Sequence, residues 1–401
     1  MGQGSGTSRL ARVLAVVFGI TTVGLTVALV WSWMFFRSLA LRMPVETPPA
    51  VAREIKAPGA VSPLQVSYQL ELPGRGEIFP ALSAGGAQDY WPVAVMNISN
   101  QGDSPALRVI SAQVNGWSRL AEQTIVVGPR ETRGVTLAPE LLPQAYANEE
   151  IQRATLAVRA VDPQGVVSFA QDRPVLLHSG SDLYWGKKFA NAQWVARWVT
   201  PHDPAVLKLV AAARAHVAGG LHGYSTQPDA KPEVIAALVR NEARAVFEAL
   251  RASGLSYVSS IYTFGDYVGE AQRIRLPSET LSLHNANCID VSVAFASAME
   301  NLGLRPVIVI VPGHAFAGVR LGPQGDDTLY LDLTVLPKGT VREATKRADT
   351  WLKKFQPQEV LTVDVAAARL LKVYPLPTPD QDQLPTITAT VVDHRRETPA
   401  R

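Results

Sequence analysis

The sequence predicts a multi-domain chain: one N-terminal transmembrane helix, an antiparallel β-sandwich and a C-terminal α+β domain. Three observations carry this reading. Val13 to Phe36 holds 24 residues without a charge. From Leu64 to about residue 180, short apolar runs alternate with turn signals. Beyond about residue 185, stretches of 3–4 periodicity alternate with short β-rich runs, the texture of mixed helices and strands.

A helix rises about 1.5 Å per residue, so the uncharged run is long enough for a hydrocarbon layer of about 30 Å. Arg9 and Arg12 precede it, and Arg37 and Arg42 follow. Trp31, Trp33, Phe35 and Phe36 crowd one end, as in an interfacial aromatic belt. A cleaved signal peptide is the rival reading, because Ser38-Leu39-Ala40 is a small-x-small triplet. The run is longer than a signal core of about 7–15 residues and ends in bulky aromatics, which favours an anchor. The arginines nearly tie on the two flanks, and the short tail ahead of the span favours that tail inside. The expectation is a single-pass protein of a cell inner membrane, with its large C-terminal region periplasmic or extracytoplasmic.

Residues 1–43 are read as tail and anchor, and 44–63, rich in proline and alanine, as a semi-rigid linker. Residues 64–180 carry VSYQLEL, YWPVAVMNIS, ALRVISAQV, QTIVVG, RGVTL, ATLAVRAV and GVVSFA, separated by NQGDSP, GPRET and DPQG. Seven short strands at that spacing predict an immunoglobulin-like sandwich without the usual cysteine pair. Its expected role is spacing, or docking of envelope proteins. Residues 185–375 form the expected α+β domain, and 376–401 a Pro-rich tail.

Composition excludes several classes. The chain has 401 residues, 18% of them charged, and one cysteine. A single cysteine removes any intramolecular disulfide and any Cys-rich metal site. A net charge of +3 is too balanced for a nucleic-acid partner. His216 and His222 fit no ligand spacing, Gly219-Gly220 is no phosphate loop, and no metal or cofactor is expected.

The lone cysteine stands where helix-start signals converge. Asn287 is a good N-cap, Cys288 the first helical residue and Asp290 the third. The positive end of a helix there favours thiolate, so the expectation is a partly exposed thiol of depressed pKa. His314 opens a strand after Pro312-Gly313 and is of the type best poised to take a thiol proton. Asp332, in Tyr330-Leu331-Asp332-Leu333-Thr334, is read as lying within an apolar strand neighbouring that of His314. A carboxylate there needs a partner, and an imidazole is a suitable one.

In this order Cys288, His314 and Asp332 resemble the transglutaminase-like superfamily of papain-related thiol enzymes. Those families show Gly-x-Cys-x-Asp/Glu opening a helix, an aliphatic strand, His-Ala-Trp, and a strand with Asp and a Thr two residues later. The matches are Cys288 with Asp290, Val307 to Val311, His314-Ala315, and Asp332 with Thr334; Ala286 and Phe316 depart from the pattern. The resemblance implies a papain-like domain in which Cys288 attacks an amide carbonyl to form a thioester, resolved by water or an amine. It also implies an oxyanion hole made of the Cys288 N–H and an upstream donor. Gln272 is the candidate donor, with Asn285 and Tyr267 as rivals. The expected substrate is a protein or peptide bearing an amide side chain or peptide bond. The alternative is a catalytically inactive binding or scaffold module at the cell envelope that keeps the same groove.

Overall fold

The computed structural model describes residues 65–83, 92–224, 230–258, 271–336 and 338–377. The expected span at 13–36, the Pro-rich linker, Tyr267 and nearly all of the expected tail lie outside these residues. Among the described residues no helix is long and apolar enough to cross a membrane. They form a mixed α/β structure with five sheets. The expected fold class, a transmembrane helix with an immunoglobulin-like antiparallel sandwich and a transglutaminase-like α+β domain, is corrected to this description.

Eight strands precede residue 180: β1 (Val66–Glu71), β2 (Glu77–Ile78), β3 (Ala94–Asn100), β4 (Ala106–Val114), β5 (Ala121–Val127), β6 (Thr132–Leu137), β7 (Gln152–Val161) and β8 (Val167–Leu177). They pair as β1-β3-β6 and as β2-β8-β7-β4-β5. Alternate residues of both sheets, among them Met96, Ile98, Ile110, Val114, Leu156 and Val158, share one apolar core. Two features depart from a seven-strand antiparallel arrangement. β2 is only two residues long and pairs parallel to β8, and two one-turn helices, α1 (Pro80–Ser83) and α2 (Pro143–Tyr146), interrupt the strands. Elements that short have no periodicity to read in a sequence.

Strand β9 (Asp182–Tyr184) leaves the first sheets and pairs antiparallel with β11 (Ala271–Arg273). Helices α3 (Pro204–Ala213) and α4 (Pro232–Ala252) follow β9 in the chain, then the two-residue β10 (Ser256–Tyr257). After β11 come α5 (Pro277–Leu283) and β12 (Asn285–Ala286), which pairs parallel with β10. Helix α6 (Cys288–Asn301) is buried along nearly its whole length. Strands β13 (Pro306–Val311), β14 (His314–Arg320), β15 (Thr328–Leu331) and β16 (Leu361–Asp364) form an antiparallel sheet in the order β15-β14-β13-β16. The β13 residues PVIVIV are buried throughout, because both faces of the sheet are covered. Phe295 and Met299 of α6 pack on one face with Ala317 and Val319. Helix α7 (Val341–Lys354) covers the other, where Val307, Val309, Val311 and Phe316 meet Ala348, Trp351 and Leu352. Helix α8 (Val365–Leu370) follows β16.

Candidate active site around Cys288, His314 and Asp332

The start of α6 is fixed by its own sequence. The Asn287 side chain accepts from the N–H of Ile289 at 2.9 Å and of Asp290 at 3.0 Å, and Asp290 accepts from the Asn287 N–H at 3.2 Å. This reciprocal cap satisfies the open N–H groups of the first turn and places Cys288 as first helical residue. Asp290 is fully buried and also takes the Arg275 N–H at 3.0 Å, with the Arg275 guanidinium 3.5 Å away. The strand bearing Gln272 therefore runs directly into a segment tied to the cysteine helix.

A tight β13–β14 turn presents His314. Pro312 and Gly313 are its two central residues, Val311 faces His314 in register, and Gly313 adopts φ +77°, a conformation open to glycine. His314 Nε2 lies 3.0 Å from Asp332 Oδ2. Asp332 stands just past the end of β15, where it caps a 3-10 turn, not inside a strand. Leu333–Val335 turn away because the Asp332 Oδ1 accepts from the Thr334 N–H at 3.1 Å and hydroxyl at 2.6 Å. Burial alone would raise the Asp332 carboxyl, but the hydrogen bond and charge of His314, with Thr334, outweigh it and hold the carboxyl below its ordinary value.

Cys288 differs from its expectation. It is only 5% exposed. Burial pushes its thiol up to about 11, against the lowering effect of hydrogen bonds from the Ala315 and Ile289 N–H groups. Nearby Asp290 and Asp332 push in the same direction as burial. Desolvation outweighs the helix-end field here, because the latter is typically worth about 1 kcal/mol or less. The sulfur thus rests against the backbone of Ala315, next to His314, as a neutral thiol. The structure shows no direct Cys288–His314 hydrogen bond. With Nε2 turned to Asp332, the ring nitrogen left for the thiol proton is Nδ1.

Gln272 is buried in β11. Trp185 Nε1 donates to its Oε1 at 2.8 Å, which fixes the orientation of the amide. The Gln272 Nε2 is buried without a hydrogen-bond partner among the described residues. Asn285 is engaged instead, its Oδ1 accepting from Arg275 Nη1 at 2.7 Å.

Sequence reasoning did not find two residues of this site, nor the tryptophan that holds Gln272. Trp351 of α7 stacks on His314 at 4.6 Å between centroids and donates Nε1 to Asp332 Oδ2 at 3.0 Å. Arg347, one turn earlier, places Nε 3.1 Å from the same oxygen. Trp185 orients Gln272. The available signal was the i,i+4 pair Arg347/Trp351 on the helix that follows Asp332 in the chain. Phe316, where the motif has Trp, is buried beneath this layer, and its ring lies 6.3 Å from that of His314. His216 and His222 form no metal cluster, and none exists among the described residues. No protein-family model and no curated protein matches the chain.

Proposed function

We propose that the chain is a thiol enzyme of transglutaminase-like chemistry, a peptidase, amide hydrolase or acyltransferase acting on a protein or peptide amide. The observation that carries this reading is the buried His314–Asp332 pair, held against the backbone on which the only thiol rests. A scaffold has no chemical need for a desolvated carboxylate that orients an imidazole beside a thiol.

Because the resting thiol is neutral, His314 acts as general base in the attack itself. As Sγ bonds to the amide carbonyl carbon, the thiol proton passes to His314 Nδ1. The carbonyl oxygen becomes an oxyanion, which the Cys288 N–H and Gln272 Nε2 stabilise. The C–N bond then breaks, and the proton on His314 leaves with the amine. Water, deprotonated by His314, attacks the thioester, releases the acid and returns the proton to sulfur. An amine in place of water gives transfer instead of hydrolysis. In this reading the chain acts at a cell inner membrane.

The activated ester 4-nitrophenyl acetate tests the reaction class. The expected result is an acetyl group on Cys288, removable by hydroxylamine and absent in Cys288→Ser and His314→Ala. Ester cleavage that is unchanged in both variants sinks the enzyme reading and leaves the inactive binding module.

A further inference from the structure

The face of α7 that covers His314 carries more positive charge than its surroundings balance. Arg347, Trp351 and Lys354 stand at i, i+4 and i+7, on one side of the helix. Trp351 stacks on the catalytic imidazole. Lys354 Nζ lies 4.7 Å from the centre of the Trp351 ring. The Arg347 side chain is 53% exposed, and among the described residues its Nε pairs with Asp332.

The charges facing this cluster can be followed element by element. On α7, Glu343 lies one turn before Arg347 but is folded back onto the Thr340 N–H and hydroxyl. On α6, Asp290 is matched by Arg275. At the end of β15, Asp332 is shared between Arg347 and His314. Lys354 has no acidic partner among the described residues. With a neutral thiol, Asp332 is the one carboxylate set against Arg347, Lys354 and His314, and positive charge is left over in either state of the imidazole. In the mechanism above this excess persists through the thioester stage, because the thiol proton departs with the amine.

We propose that Arg347 and Lys354 are specificity residues that select an acidic substrate, one carrying a carboxylate beside the amide that Cys288 attacks. This inference rests on the acyl-transfer reading and adds the substrate class to it. The half-exposed Arg347 guanidinium suits a bidentate carboxylate. The Lys354 ammonium supplies a second, looser charge along the same face.

The test uses the full chain and its single cysteine. Cys288 is alkylated with iodoacetate, which is anionic, or iodoacetamide, which is neutral and nearly the same size. In each case sulfur bonds to the methylene carbon and iodide leaves. The ratio of the two rates at one pH cancels the thiolate fraction and so reads the local charge. Arg347→Gln is expected to lower the iodoacetate preference about threefold to fivefold, an effect that weakens as salt is raised. Lys354→Gln lowers it less, Arg347→Lys retains most of it, and Lys208→Gln on α3 leaves it unchanged. A ratio that moves no further in Arg347→Gln and Lys354→Gln than in Lys208→Gln overturns this inference alone. A Cys288 that reacts with neither reagent in the folded protein overturns the inference together with the acyl-transfer reading beneath it.

Discussion

Asp332 has no exposed surface, yet it accepts from His314, Trp351 and both donors of Thr334 and pairs with the Arg347 guanidinium. Asp332→Asn keeps the shape but turns a donor toward one of these donors and removes the charge that stabilises an imidazolium. Turnover should fall by about three to four orders of magnitude with the circular dichroism spectrum unchanged, measured as acetyl transfer from 4-nitrophenyl acetate. The sign of its pH effect follows from the lowered carboxyl. A depressed native pKa stabilises the fold above the unfolded value of about 4, and that stability is lost as pH falls through the native value. Urea midpoints of wild type should therefore drop more steeply below pH about 4 than those of Asp332→Asn; parallel curves contradict the assignment. Cys288 behaves in the opposite sense. Its raised thiol pKa means that the unfolded chain releases its proton first, so stability declines from pH about 9 toward about 11, by on the order of 2 kcal/mol. Cys288→Ala should flatten that decline in thermal melts across the alkaline range.

Among the elements, α6 and α7 divide the labour: α6 sets the thiol, and α7 covers the imidazole. The start of α6 was legible in the sequence, because Asn287, Cys288 and Asp290 obey local capping rules that need no tertiary knowledge. Asn287→Ala should cost about 1 kcal/mol in urea unfolding and also slow Cys288 alkylation, since the cap positions the sulfur. A stability loss with unchanged alkylation would separate the cap from the site. The hairpin turn at Pro312-Gly313 was legible for the same local reason. Trp351 was not, because its role is written in a contact with a strand 37 residues away in sequence, from position 314 to 351. Its i,i+4 relation to Arg347 is an ordinary helix pattern until the sheet beneath it is known. The end of β15 was misread because Leu331 and Leu333 look alike in composition, while the Asp332 side chain bonds Thr334 and curls the chain. The thiol's environment was misjudged at the same scale. A helix end predicts a field, but burial is a property of what packs over it.

At the scale of the whole molecule, the β9–β11 pairing joins the strands before residue 180 to the segment carrying Gln272. His178, at the foot of this joint, lies between Glu77 at 3.2 Å and Asp182 at 3.6 Å and stacks on Phe79. Burial alone would lower its pKa, but the two carboxylates outweigh that and raise it. The joint is therefore stabilised below about pH 6.5, and the stabilisation is lost as pH rises through the native value. Amide exchange in β9 and β11, corrected for intrinsic rates, should be better protected at pH about 6 than at pH about 8, and the difference should vanish in His178→Gln. The two- and three-residue strands around this joint explain why the overall architecture was less legible than the start of α6, since pairings of that length arise from packing alone. The most direct measurement of the central claim, that His314 activates Cys288, is the rate at which a peptide vinyl sulfone labels the folded, reduced full chain at neutral pH, followed by intact mass. The account predicts a single adduct on Cys288 in the wild type and a rate about a hundredfold lower in His314→Ala. Equal rates in the two proteins, or no adduct on folded wild type, would contradict it.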